Sequence, residues 1–405
     1  MYQSRTTEQD EAKEGLTPQK QAQAIIVISD ALFLGCLIIV RWLLPRKVIL
    51  LGREKQPGYH PKGEAMTELY AGIDLHSSNN VIVINDKEGN QVYRKRLRNQ
   101  LGSVEKALEP FQEDICGIVV ESTYNWYWLV DGLMDLGYIV HLANTGAIQK
   151  YSGLKHVDDN TDAGWLADML RLGILPEGYI YPKGERGIRD LLRKRAHLVN
   201  QRTSNLLSMK NVVTRNTGSS PRSSALKIIS DETIETMFSD VNVALSLKAG
   251  AQIVRALTEQ ITLIEKTALK QVRLRDAYQN LVTVPGIGPV LALTIMLETG
   301  DIGRFASDGH YASYCRCVGS AHFSNGKKKG SGNRKNGNRY LGWAFAEAAA
   351  FAMRYNQQIQ RYYQRRKDSG KHMMSARAAI AHKLANACYY MLRDNTVFDV
   401  NKAFR

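Results

Sequence analysis

The chain has 405 residues, 44% of them hydrophobic, and carries 54 Lys and Arg against 39 Asp and Glu for a formal charge of +15. That length and apolar content allow two buried cores with a helical element between them. The charge favours a polyanionic partner, nucleic acid before an anionic membrane surface. The five cysteines, Cys36, Cys116, Cys315, Cys317 and Cys388, form no C-x-x-C pair. This argues against a disulfide framework or a structural zinc site and fits a reducing cytoplasm.

Residues 1–65 differ from the rest. Residues 1–20 are polar and read as disordered. Ile25–Val40 is an apolar run followed by Arg41, Trp42 and Leu43-Leu44-Pro45. A membrane-spanning helix needs about 20 apolar residues. This run is shorter, and Asp30 near its middle costs roughly 2.5–3.5 kcal/mol on insertion. A signal-peptide cleavage site is missing. Three readings stand: a membrane anchor over residues 25–44, a buried helix, or a start codon set too early, with the native start near Met66. The last is preferred.

Residues 66–182 read as an α/β unit. Glu68–Leu75 is a strand ending in an acid, Asp74; Val81–Asn85 and Gln91–Leu97 follow as two more strands around the turn at Gly89-Asn90. Ser103 is expected to cap a helix through Phe111. Cys116–Glu121 is a buried strand that again ends in an acid. A helix over Asn125–Leu136 closes at Gly137, and Tyr138–Leu142 is a fifth strand. Hairpin strands followed by alternating helix and strand match an RNase H-like order.

The acids carry the functional argument. Asp74 and Glu121 end strands that are neighbours in such a sheet. Asp159 and Asp162 open a helix to about Leu172, and a three-residue spacing puts both on one helical face. Asp158, beside them, competes as a ligand. Carboxylates brought together repel. A pair of Mg²⁺ ions, which prefer oxygen ligands, resolves that repulsion and can clamp both oxygens of a phosphodiester displacement; Mn²⁺ is a substitute.

The middle is helical and basic. Residues 183–215 hold nine cations against Glu185 and Asp190. Apolar residues at helical spacing include Ile188, Leu192, Leu198 and Leu206, and after a polar break at Asn216–Ser224 the period resumes from Ser246 to Leu281. Two such helices suggest an antiparallel hairpin or coiled-coil arm, either a solvated spacer or a grip on a phosphate backbone.

In the C-terminal part, Pro285, Gly286 and Gly288 lie in a V-P-G-I-G-P turn that looks like a helix–hairpin–helix, where backbone N–H groups can approach a DNA phosphate. Residues 324–339 contain Lys327, Lys328, Lys329, Arg334, Lys335 and Arg339, four glycines and no acid. They read as a flexible cationic loop that wraps a phosphate. Arg354–Lys383 adds eight cations interleaved with Tyr355, Tyr362 and Tyr363. Ala346–Ala352 and Ala376–Ala387 read as close-packed core helices.

Three segments, Tyr70-Ala-Gly-Ile-Asp74-Leu-His-Ser77, Val119-Val-Glu121-Ser-Thr123 and Asp159-Asn-Thr-Asp162-Ala163, resemble the RuvC-like domain of DEDD transposases. That is insertion-sequence family one hundred and ten, with the wording closest to its eleven-eleven branch, and the resemblance runs over residues 68–395. It implies Asp74, Glu121, Asp159 and Asp162 as the quartet, since the family's D-x-x-D-A spacing selects Asp159 over Asp158. Gly337-Asn338-Arg339-Tyr340-Leu341 matches the family's G-N-x-x-L segment, which implies Ser324 as the nucleophile. Many relatives carry Ser-Gly where this chain has Ser324-Asn325-Gly326, which leaves Ser331 and Ser320 as alternatives. The resemblance further implies a bacterial element, a coiled-coil insertion, an element-encoded guide RNA and a homo-oligomer, a dimer or tetramer.

The expected architecture is α/β plus α. An atypical extension (1–65) precedes a RuvC-like DEDD domain (66–182), a helical coiled-coil arm (183–280), a mostly helical C-terminal domain with the nucleophilic serine (281–395) and a tail (396–405). The expected activity is metal-assisted cutting and rejoining of DNA through a serine–DNA intermediate. The alternative is a metal-dependent RuvC-like junction endonuclease with no covalent step. A sugar-kinase-like ATPase shares the first strand's Gly-x-Asp-like end, but residues 76–180 hold no Gly-rich nucleotide motif.

Overall fold

The computed structural model describes residues 68–148, 159–319, 321–331 and 336–404. The N-terminal extension, Asp158, Ser320, Arg334 and Lys335 lie outside the described residues.

Three strands open the described chain: β1 (Leu69–Leu75), β2 (Asn79–Asp86) and β3 (Gln91–Arg98). Their connections are short, so they pair antiparallel, with Asp74 opposite Val81 and Leu69 opposite Asp86. In the second connection Gly89 takes φ +92° while the Asp86 carboxylate accepts the Glu88 and Asn90 amides. Then come α1 (Leu101–Leu108), β4 (Ile115–Glu121), α2 (Tyr127–Asp135), β5 (Val140–Ala143), α3 (Asp159–Arg171) and the two-residue β6 (Glu177–Gly178). The sheet order is β3-β2-β1-β4-β5-β6, with β4 parallel to β1 and β5 parallel to β4. This six-stranded mixed sheet with flanking helices fits an RNase H-like α/β domain.

The element ends shift from expectation for local reasons. Helix α1 starts at Leu101, after Gln100, and Ser103 lies inside it. Leu101 packs directly over Gly132 of α2, where a Cβ would come within 2.4 Å of it. Pro110 stops α1 at Leu108 and turns the chain into a 3₁₀ turn over Glu109–Phe111. The Tyr138 amide bonds back to Leu133 after Gly137, so β5 begins only at Val140.

The sheet separates two apolar layers by strand alternation. Ala71, Ile73, Ile82, Ile84, Ile118 and Val120 meet Val104 of α1 and Leu129 and Leu133 of α2. On the opposite face Val119 meets Leu166 and Met169 of α3, and Val81 and Val83 meet Ala163.

Two long helices follow, α4 (Lys183–Thr217) and α5 (Val241–Val272). They are antiparallel: Arg195 bonds Glu265, Arg202 bonds Thr258, and Met209 packs on Gly250. Buried positions on α5 step through Ala244, Leu247, Ala251, Val254, Ile261, Ile264 and Ala268, close to a heptad. Two short helices, Ser223–Lys227 and Asp231–Met237, fold over the far end and bury Leu226 and Ile234 against Leu206, Met209 and Leu247. Helix α5 starts before the expected Ser246 because Asp240 accepts the Asn242 and Val243 amides. It stops at Val272, and Asp276–Leu281 is a separate short helix.

Beyond residue 281 a helical core surrounds α6 (Pro289–Thr299), which is buried from Leu291 to Thr299. A hairpin of β7 (Ala321–Ser324) and β8 (Lys327–Ser331) precedes α7 (Arg339–Tyr355), α8 (Gln357–Asp368) and α9 (Met373–Asp394). Ala344, Ala348, Ala349 and Ala352 of α7 share one core with Ala381 and Ala385 of α9, small residues that let helices approach closely. No helix among the described residues is long and apolar enough to cross a membrane.

Candidate active site

Strand alternation decides where the acids point. Asp74 stands opposite Val81, on the face covered by α3, and Glu121 shares that face with Val119. Ile73 and Val120 are partners across the parallel β1–β4 pair, so Asp74 and Glu121 end side by side at its carboxyl edge. Helix α3 runs against β1. At Gly72 a Cβ would sit 2.0 Å from the Ala163 carbonyl oxygen and 2.7 Å from the Ala167 amide, so only glycine admits the helix backbone. Further along, Asn85 donates to Asp168 at 3.2 Å and Arg171 donates to the Lys87 carbonyl at 3.0 Å, near the amino end of β1. The start of α3, with Asp159 and Asp162, therefore lies at the same carboxyl edge as Asp74 and Glu121.

Asp74 is only 4% exposed. His76 Nε2 lies 3.5 Å from Asp74 Oδ2, an edge residue that sequence reasoning passed over although it sits in the quoted D-L-H segment. The His76 carbonyl accepts Asn99 Nδ2 at 2.9 Å and Asn125 Nδ2 at 3.0 Å, and Asn125 in turn accepts Thr123 Oγ1. The loops after β1, β3 and β4 are thus tied to one another beside the acids. Among the described residues, no three His, Cys, Asp or Glu side chains stand close enough to hold a metal ion.

Ser324 belongs to a different element. The cationic segment expected as a flexible loop begins as a hairpin, with Ser324 paired to Lys327 and Phe323 to Lys328. Asn325 and Gly326 take φ +50° and +71°, the two-residue Asn-Gly turn that matches strand twist. The Asn-Gly dipeptide was the available signal. Ser324, Lys327 and Lys329 are exposed.

Downstream, the G-N-x-x-L segment is an anchor. Gly337 takes φ +84°, and a Cβ there would meet the Tyr314 carbonyl at 2.5 Å. Asn338 caps α7 by accepting the Tyr340 and Leu341 amides, and its Nδ2 donates to Glu298 at 2.7 Å. Glu298, 4% exposed on α6, receives Arg193 of α4 at 2.6 and 2.7 Å. Sequence reasoning missed Glu298, because nothing local marks a carboxylate whose partners lie far away in the chain.

The V-P-G-I-G-P turn divides its glycines between two tasks. Gly286 takes φ +89° and faces α7, where a Cβ would meet the Ala348 carbonyl at 2.4 Å. Gly288 is exposed and precedes Pro289 at the start of α6; Pro285 is half-buried beside it. The arm's cations are also partly committed within the chain. Arg186 grips both oxygens of Asp131 at 2.7 Å and stacks on Trp126. Arg189 donates to Tyr127, Arg193 to Glu298, and Arg195 to Glu265. Cys315 and Cys388 are buried and Cys317 half-buried; burial pushes the Cys317 thiol up to about 12, so it stays protonated at neutral pH.

Comparison with known proteins bears on both halves. Residues 71–216 match a DEDD transposase model of the IS110 group, and residues 278–364 match the Transposase IS116/IS110/IS902 family. Neither model alone spans half of the chain. The chain is 29% identical to the insertion element IS110 43.6 kDa protein of Streptomyces coelicolor, over 39% of this chain and 37% of that protein. It is 27% identical to the insertion element IS116 44.8 kDa protein of Streptomyces clavuligerus, over 35% and 36%. A probable family 20 transposase of Pseudomonas aeruginosa is 22% identical over 63% of this chain and 75% of its own length. The chain thus spans little more than a third of the length of the first two relatives. The DEDD match contains Asp74, Glu121, Asp159 and Asp162, and the second match contains Ser324 and the Asn338 anchor.

Proposed function

We propose that this chain is a DNA transposase that cuts and rejoins the strands of an insertion element. The observation that carries the reading is the antiparallel course of α3 over Gly72, which brings Asp159 and Asp162 to the edge where Asp74 and Glu121 end neighbouring strands. Four carboxylates are hard oxygen donors and suit Mg²⁺, two ions in this reading, with Mn²⁺ as a substitute. When bound, such ions supply charge stabilisation at the scissile phosphate. Asp74, held between His76 and the packed strand end, contributes a fixed ligand; Asp162, on the first turn of α3, contributes another.

Ser324 is the nucleophile of this reading. Its exposed position beside the Asn-Gly turn leaves the hydroxyl open to a phosphate. The hydroxyl oxygen attacks phosphorus, forming an Oγ–P bond and breaking the P–O bond to the departing strand. The serine proton passes to solvent, and the departing strand oxygen takes one up. No redox partner is needed, and the phosphodiester keeps the bond energy for the reverse attack that rejoins DNA. Lys327 and Lys329 offset the charge that gathers on the phosphate. Through the family resemblance, an element-encoded guide RNA and a dimer or tetramer belong to the same proposal.

Trapping tests it. Incubation with DNA carrying the element's ends, Mg²⁺ and a denaturing quench is expected to leave a protein–DNA adduct. Ser324→Ala abolishes the adduct, and Asp74→Asn lowers its formation by roughly 10³-fold or more. Cleavage without any adduct would instead support the junction endonuclease reading.

A further inference from the structure

We infer that the cleft between α4 and the first turns of α7 is a subsite for one unpaired nucleotide of a DNA strand. The inference rests on the reading of DNA as substrate, and not on the roles of Ser324 or the four acids. The cleft holds about 320 Å³, the lower end of the range for small-ligand sites. Arg193, Arg195 and His197 line it from α4, and Arg339, Tyr340 and Trp343 from α7.

Two features of the walls select the ligand. Trp343 is 41% exposed, a flat indole facing solvent on a helix whose opposite side is packed alanine. The Tyr340 ring, also in the lining, takes two guanidiniums over it, Arg193 at 5.0 Å and Arg339 at 4.9 Å from its centroid. Arg339 also donates to the Tyr340 hydroxyl at 2.9 Å. An indole face takes a base by stacking, without sequence preference, and guanidiniums take the phosphate.

The strand must be unpaired. A base inside a duplex is already stacked and cannot present its face to an indole, and the cleft has room for one nucleotide rather than a groove. Glu298 and Glu265 already balance Arg193 and Arg195. The exposed Arg339, held by Tyr340 rather than a carboxylate, is the cation left to meet a phosphate. The commitment to DNA over RNA comes from the reading of DNA as the substrate; α7 itself begins at Arg339, directly after the Gly337-Asn338 anchor.

Equilibrium binding of the full chain to a labelled single-stranded DNA, its duplex and an RNA of the same sequence tests this. Trp343→Ala is expected to weaken single-stranded DNA binding roughly 5- to 100-fold, while Trp343→Phe stays within about 3-fold of the parent. Arg339→Ala lowers the salt dependence of single-strand binding, and duplex affinity is unchanged in both Trp343 variants. Circular dichroism confirms that each variant is folded. Unchanged single-strand binding in Trp343→Ala, an equal loss on duplex, or a loss confined to RNA would each overturn the proposal. A chain that binds unpaired DNA through Trp343 yet forms no adduct would keep the subsite and remove the serine reading.

Discussion

The carboxyl edge of the sheet and the serine hairpin are built in opposite ways. At the edge, Asp74 is buried, its strand is paired on both sides, and α3 touches the backbone of Gly72. Three loops are knotted there through the His76 carbonyl. The hairpin has a two-residue turn, and Ser324 stands exposed beside it. The difference follows from the tasks proposed for them. Carboxylates that share a cation must be held against mutual repulsion, so packing has to fix them before the cation arrives. A nucleophile that reaches for a phosphate gains from exposure, and its precision has to come from the anchor behind it, here Asn338 and Glu298.

Substitutions can break this contrast, with the largest effect expected at the edge. Gly72→Ala places a methyl 2.0 Å from the Ala163 carbonyl, so α3 must move away from β1. Destabilisation by about 3 kcal/mol or more is expected, with DNA cleavage lost because Asp159 and Asp162 move with the helix. Chemical unfolding and adduct yield, measured together, check both. Should stability hold, the close approach of α3 is wrong. Glu298→Ala comes next. It strands the Arg193 guanidinium and frees Asn338 Nδ2, for a cost of about 2–3 kcal/mol given that Arg193 is a third exposed. Adduct yield should fall more steeply than the loss of folded protein explains; a fall in simple proportion would reduce Glu298 to a packing residue. Gly326→Ala is the smallest. A residue with a Cβ at φ +71° costs about 1 kcal/mol locally. The midpoint of global unfolding should barely shift, while the rate of adduct formation falls; a large drop in global stability would show that the hairpin is part of the core.

Legibility tracked the range of the forces involved. Strands β1 to β4 were readable because apolar runs and turn residues act within a few positions, and each edge acid closed such a run. The start of α3 at Asp159 and the near-heptad helices of the arm were readable for the same reason. What escaped were pairings across the chain. Arg186, Arg189, Arg193 and Arg195 read as part of either a solvated spacer or a basic grip, yet Asp131, Tyr127, Glu298 and Glu265 bond to them. The cationic stretch after Ser324 read as a loop from its glycines, although Asn325-Gly326 encodes a tight turn whose strands then pair.

By itself, then, the sequence determined the alternation of apolar and polar residues, the acids that end β1 and β4, and the excess of positive charge. Those properties are local or additive, and no partner is needed to express them. Only the tertiary structure decided that α3 runs against β1, since that follows from a glycine, Gly72, that leaves room for the helix backbone from Ala163 to Ala167, about one turn. It also decided which cations stay available to a polyanion. A charge is neutralised or kept according to what lies across from it, and for Arg193 that carboxylate, Glu298, comes from 105 residues away.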